Sequence, residues 1–185
     1  MLPATQIGEK LRAARQTLGL SLRALGEQTG FSASFLSQVE LGQTMPSLGS
    51  LQRIAEALGL TVANLLAQTG TASAVVRKAG REALRSEWSK ATVEPLVSAN
   101  ADERLQAILI RLDPTGRTGV TSYAPGRRVF AYCTAGLAIA MLNEPVEELS
   151  LEAGDSIVVD GPRTVAWENR TENLAELLVV TARLS

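Results

Sequence analysis

The residues whose types and spacing best suit chemistry lie in one short run. Ser32, Ala33, Ser34, Ser37 and Gln38 surround two apolar positions, Leu36 and Val39, at helical spacing. A helix that buries Leu36 and Val39 turns the short polar side chains outward, where they could meet base edges in a DNA major groove. The Gln38 amide can pair bidentately with adenine, the Ala33 methyl can pack on a thymine methyl, and the serine hydroxyls can donate or accept. Solvation alone is the alternative role for Ser34 and Ser37. Ser21 and Ser47 each precede an apolar-periodic run and can cap helices whose first N–H groups suit phosphate. Gln43 and Thr44 follow the reading helix and could add side-chain phosphate contacts. Glu40 is better suited to orienting or packing than to reading bases, because phosphates repel a carboxylate.

Other chemistries have little material. The chain has no histidine, the usual metal ligand and general acid-base group near neutral pH. Cys133 is the single cysteine, so it has no internal disulfide partner, which suits a reducing cytosol. Apolar runs such as Leu137 to Leu142 are too short to span a bilayer, and the first residues lack a signal-peptide layout. The reading is therefore a cytoplasmic protein with no membrane partner. Net charge is −1 over 185 residues. In residues 1–70, Lys10, Arg12, Arg15, Arg23 and Arg53 face Glu9, Glu27, Glu40 and Glu56, a surplus of one positive charge.

The elements that must position the run are helical. Ile7, Leu11, Ala14 and Leu18 form one face of a first helix, which Gly19 stops. Ser21 caps a second helix carrying Leu22 and Leu25, and Gly30 makes the turn. Ser32 caps the third, and Gly42 ends it. Pro46 and Ser47 open a fourth, with Leu48, Leu51, Ile54 and Leu58 buried. Thr61 caps a short fifth, with Val62, Leu65 and Leu66. Five short helices with short connections make a compact all-α unit.

Beyond the small, polar stretch at 69–74 the period changes. Leu105 to Leu112, Arg128 to Thr134, Leu137 to Leu142, Ser156 to Val159 and Leu174 to Val180 read as strands separated by Gly and Pro turns. Such punctuation predicts a β-barrel or sandwich. Lys78 to Trp88 fits no element, and Arg127 and Arg128, beside a Pro-Gly turn, read as an exposed loop.

Residues 6–67 resemble the helix-turn-helix family of phage repressors and xenobiotic-response-element regulators. The resemblance rests on Leu-Arg-Ala-Ala-Arg at 11–15, Ser-Leu-Arg-Ala-Leu at 21–25 and Ser-Phe-Leu-Ser-Gln-Val-Glu-Leu-Gly at 34–42. Met-Pro-Ser-Leu-Gly-Ser-Leu at 45–51 and Ile-Ala-Glu-Ala-Leu-Gly-Leu at 54–60 complete it. It departs from the family at Leu22 and Gln43, where polar and basic residues are frequent. The second half resembles the cupin barrels. Their first motif falls on Gly116, Ser122, Ala124, Val129 and Gly136, and the second on Gly154, Val165 and Asn169. The resemblance places metal ligands at Ser122, Ala124, Val129 and Val165, none of which is a histidine or carboxylate. No metal and no cofactor are expected.

Together these readings give an α + β chain of two domains. A five-helix lambda-repressor-like DNA-binding domain at 1–68 is followed by a linker at 69–82. A cupin (double-stranded β-helix, jelly-roll-like) barrel fills 83–185. The expected function is a sequence-specific DNA-binding transcription regulator, taken as a repressor and not an enzyme. Its expected partners are a palindromic double-stranded DNA operator, a second copy of itself and an unknown small-molecule effector. Strand alternation would turn Cys133, Arg163 and Trp167 toward the effector beside the four former ligand positions. Cys133 and Trp167 as plain core, with Arg163 solvated, is the alternative. Two rival functions for the barrel remain: a dimerisation module without a ligand, or a metal-free isomerase or epimerase. The second would need a base from Asp155, Asp160 or Glu168.

Overall fold

Serines and glycines set the helix ends of the first third of the chain. This is seen in a computed structural model that describes residues 3–60, 62, 65, 75–97, 105–119, 127–143, 145–160 and 163–183. The helices are α1 (Ala4–Thr17), α2 (Leu22–Thr29), α3 (Ala33–Glu40) and α4 (Leu48–Ala57). Ser21, Ser32 and Ser47 cap α2, α3 and α4, each hydroxyl accepting from the N–H three residues on. Val62 and Leu65 are also helical and buried. The rest of the expected fifth helix, with Thr61 and Leu66, lies outside the described residues.

The helical core is nearly the one that the spacing predicts. Ile7, Leu11, Leu25, Leu36, Val39, Leu48, Leu51, Ile54 and Leu58 are buried. Leu18 is the exception. It is the C-cap of α1 and stands 52% exposed, because α1 ends before its last apolar position can reach a neighbour.

After a 3₁₀ turn at Lys78–Gly80, nine strands form two sheets among the described residues. They are β1 (Leu84–Ser86), β2 (Ala91–Pro95), β3 (Leu105–Leu112), β4 (Arg127–Ala135), β5 (Leu137–Leu142), β6 (Glu147–Glu152), β7 (Ser156–Val159), β8 (Val165–Glu168) and β9 (Ala175–Arg183). One sheet runs β1-β2-β3-β9-β4-β7 and the other β6-β5-β8, and every strand pairing is antiparallel. The stretch that fits no element from sequence thus supplies the 3₁₀ turn and β1. Arg127 and Arg128 open β4 rather than forming a loop. Arg128 remains at the surface, ion-paired with Asp160 across the β4–β7 pair.

The two sheets bury their facing sides against each other. Ile108, Ile110, Val129, Ala131, Cys133, Leu177 and Val179 come from the large sheet, and Ala138, Ala140, Leu142, Leu151, Val165 and Trp167 from the small one. Asn169, fully buried, donates its Nδ2 to the carbonyls of Leu112, Asp113 and Asn173. Its Oδ1 accepts from Thr171. One amide thereby ties the end of β3 to the turn between β8 and β9.

Gly8 lets α1 lie directly on the end of α3. A Cβ there would stand 2.5 Å from the Val39 carbonyl oxygen, with the Glu40 carbonyl beside it. Gly8→Ala is expected to lower stability by about 1–3 kcal/mol, since backbone must move to admit the methyl. Urea unfolding checks this, and an unchanged midpoint would refute the close approach.

Candidate DNA-reading face and barrel interior

The candidate reading helix α3 is held from three sides. Leu36 and Val39 face the core, and Glu40, 8% exposed, accepts a bidentate pair from Arg15 of α1. The two bonds are 2.6 and 2.9 Å, and Arg15 also donates to the Leu20 carbonyl at 2.7 Å. The hydrogen bond to Glu40 raises the Arg15 pKa above its ordinary value, against an opposing effect of burial. Glu40 therefore orients the helix. At the other end, the Phe31 ring packs on Phe35, with centroids 5.1 Å apart, and the Arg53 guanidinium of α4 lies 5.4 Å from the Phe31 centroid. Arg53 also donates to the Thr29 carbonyl. The turn between α2 and α3, with Gly30 left-handed at φ 73°, is thus fixed on α4.

This scaffold leaves one polar face outward. Ala33, Ser34 and Gln38 are exposed and Ser37 is half-buried. Ser34 and Gln38 stand one turn apart, as do Ala33 and Ser37. Ser32 is exposed, but its hydroxyl already accepts the Phe35 N–H at 3.1 Å as the cap of α3. Leu41, 51% exposed, continues the face one further turn. Its spacing from Ser34 and Gln38 is visible in the sequence, but an apolar side chain gives no sign of reading bases. Gln43 is exposed and Thr44 half-buried, and both backbone N–H groups donate to the Gln38 carbonyl, which holds this loop against α3.

The proposed phosphate anchors differ. Ser21 is exposed, its hydroxyl accepting from the Ala24 N–H. Ser47 is half-buried, and the N-terminus of α4 is not open as expected. Its Ser50 N–H goes to the Ser47 hydroxyl, and its Gly49 N–H donates to the Thr118 carbonyl of the barrel at 2.9 Å. No feature of the sequence joins Gly49 to Thr118.

In the barrel, Val129, Cys133, Val165 and Trp167 are all fully buried between the sheets, while Ser122 and Ala124 lie outside the described residues. Arg163 does not turn inward. It precedes β8, so strand alternation does not reach it, and it donates to the carbonyls of Asn143 and Pro145 and to Glu147 at 2.9 Å. Trp167 pairs with Ala140 across the small sheet, and its Nε1 has no hydrogen-bond partner among the described residues.

The described interior does not fit a metal. Val129 and Val165 have no lone pair to give, and among the described residues no three Cys, Asp or Glu side chains come together. The candidate bases also lie outside it. Asp155 is exposed and accepts the Glu152 N–H, Asp160 pairs with Arg128, and Glu168 pairs with Arg170 at 2.8 Å. Alternation explains Glu168, since β8 turns Val165 and Trp167 inward and Ala166 and Glu168 outward.

Burial pushes the Cys133 thiol above its usual pKa, backbone hydrogen bonding at Ala135 and Ala138 opposing this only in part. The thiol stays neutral at pH 7, and the thiolate is the reactive form. Cys133 is expected to resist a disulfide reagent at pH 7 until denaturant unfolds the barrel. Rapid stoichiometric labelling of the folded protein would contradict its placement.

Residues 6–68 match the family model described as a helix-turn-helix domain. The chain is 43% identical over 58 residues to the HTH-type transcriptional regulator DdrOP3 of Deinococcus deserti, a match covering 31% of this chain and 45% of that protein. The chain spans less than half the length of this and two further curated relatives. Among solved structures, an HTH_3 family transcriptional regulator from Vibrio cholerae is similar over 99% of this chain and 98% of its own. It has a TM-score of 0.78 and 21% identity. A predicted oxalate decarboxylase from Thermotoga maritima is similar over 60% of this chain and 99% of its own, with a TM-score of 0.51 and 20% identity. These likenesses of structure bear on the fold, which joins a helical head to a two-sheet β-barrel. The similarity to the helix-turn-helix domain family is thus carried by residues 6–68 of this chain.

Proposed function

We propose that the chain is a one-component transcription regulator whose head reads an operator in double-stranded DNA and whose barrel dimerises and senses a small molecule. The carrying observation is the outward face of α3. Short side chains flank Gln38 on a helix whose buried side is fixed by Arg15, Glu40 and the core. Such a helix fits the major groove, with Ala33, Ser34, Ser37 and Gln38 toward base edges. Ser21, Gln43 and Thr44 stand where they can position the phosphate backbone.

A second copy finds its seat on the outer side of the large sheet. Phe130 and Val158, register partners on β4 and β7, are 38% and 55% exposed, and Tyr132 beside them is 38% exposed. A dimer would offer two reading helices to a palindromic operator, with half-sites about 34–36 Å apart.

Sensing is favoured over catalysis by what the interior contains. Among the described residues, its buried polar groups are Ser86, Ser89, Thr118, Thr164, Asn169, Thr181, the Cys133 thiol and Trp167 Nε1, all uncharged, with every candidate base outside. That lining suits an uncharged, largely apolar molecule with one hydrogen-bond acceptor for Trp167. It offers no acid-base pair for an isomerase.

Selection of bound duplexes from a random pool is the test of DNA reading, and it should return a two-fold symmetric site. Gln38→Ala should then cost about 1–3 kcal/mol at one base position per half-site and relax the preference there. An unchanged selected sequence would show that α3 does not read bases through Gln38. Phe130→Glu should convert the dimer to a folded monomer in light scattering. A variant that stays dimeric excludes this sheet face as the interface.

A further inference from the structure

The head and the barrel meet at a contact that the proposed function does not explain. The Gly49 N–H, in the first turn of α4, donates to the Thr118 carbonyl of the barrel at 2.9 Å. Gly119 continues over the same turn. A Cβ placed on it would lie 3.2 Å from Ser47 Oγ and 3.3 Å from the Gly49 nitrogen. The barrel backbone therefore covers the end of α4, whose first N–H groups are of the kind that suits a phosphate.

Thr118 is also bound to the barrel interior. Its N–H donates to the Trp167 carbonyl at 2.9 Å, and its Oγ1 accepts the Trp167 N–H at 3.0 Å. Thr118 is 3% exposed and Trp167 fully buried, so water does not compete for these bonds. Trp167 is in turn a residue whose ring N–H lacks a partner among the described residues. On one side of Thr118 is an unsatisfied donor in the barrel interior, and on the other is the first turn of α4.

We propose that Thr118 is a clasp linking the barrel interior to the head, and that this clasp competes with DNA for the N-terminus of α4. The proposal rests on the DNA-binding reading above and adds its regulation. In the clasped form the Gly49 N–H is spent and Gly119 blocks the approach of a phosphate. Operator binding requires the clasp to open. By linkage, anything at Trp167 that loosens Thr118 strengthens DNA binding, and anything that tightens it weakens DNA binding.

The test uses the full chain and two substitutions at one position. Thr118→Val removes the Oγ1 acceptor and leaves the Trp167 N–H without it, whereas Thr118→Ser keeps that acceptor. Hydrogen exchange of the peptide covering residues 45–52 reports the clasp directly. It should speed up in Thr118→Val and stay at the parent rate in Thr118→Ser. Affinity for the duplex selected from the random pool should rise about 5-fold or more in Thr118→Val and be unchanged in Thr118→Ser. Far-ultraviolet circular dichroism checks that both variants are folded. If Thr118→Val does not fold, Gly119→Ala is the second way to open the clasp, and it should give the same faster exchange and tighter binding. Parent-like exchange in a folded clasp variant, or faster exchange with equal or weaker DNA affinity, overturns the proposal. If no duplex is selected, the DNA reading itself fails, and the exchange result still decides whether Thr118 restrains α4.

Discussion

The buried pair between Arg15 and Glu40 is the interaction on which the head depends. It joins the first helix to the last residue of α3 with two bonds in a protected setting, both side chains being at most 12% exposed. A pair this shielded adds little net stability over a well-packed apolar pair, but losing one partner leaves a charge stranded at a cost of about 3–5 kcal/mol. Its value lies in geometry. A guanidinium fork accepts a carboxylate in only a few orientations, so α3 cannot rotate about its axis without breaking two bonds. Gly8 removes the side chain that would hold the two helices apart, which is what lets the pair form at these distances.

Much of this head was legible because its signals are local. Ser21, Ser32 and Ser47 announce helix starts through a preference set within one turn, and apolar spacing picks out the buried face. Leu18 misleads because periodicity says which side a residue is on, not whether another helix reaches that far. In the barrel, β3, β5 and β7 match the apolar runs to the residue, while β6 was invisible. Its sequence, Glu-Glu-Leu-Ser-Leu-Glu, lies at a sheet edge with one buried side chain, Leu151, so burial imposes almost no alternation. Arg163 shows the limit of extrapolating a period, since the alternation that places Val165 and Trp167 begins two residues too late to include it. The contact between Gly49 and Thr118 is beyond any such reading. It joins two backbone groups far apart in sequence, and backbone groups carry no residue-specific signal.

The barrel's chemistry follows from which side of each strand carries charge. On the outer side, Arg111 links Glu94 and Glu176 across β2, β3 and β9, and Arg170 joins Glu148 to Glu168. The alternate positions carry alanine, valine, leucine and isoleucine. A pleated strand cannot exchange these faces without a register shift of one residue, which would invert every side chain on it. The same pleat that gives the barrel its core therefore keeps its carboxylates out of the interior.

The position of β9 sets the order in which the molecule can be built. This strand, the last described, lies inside the large sheet, hydrogen-bonded to β3 along one edge and β4 along the other. Until residues 175–183 leave the ribosome, neither partner has its inner neighbour, and the large sheet exists only as separated pieces. The helical head needs no contact so distant in sequence for its own core, and domains generally fold as units from the N-terminus during synthesis. A nascent chain thus carries a finished head while its barrel still presents two unpaired strand edges, the surfaces that most readily recruit a foreign strand.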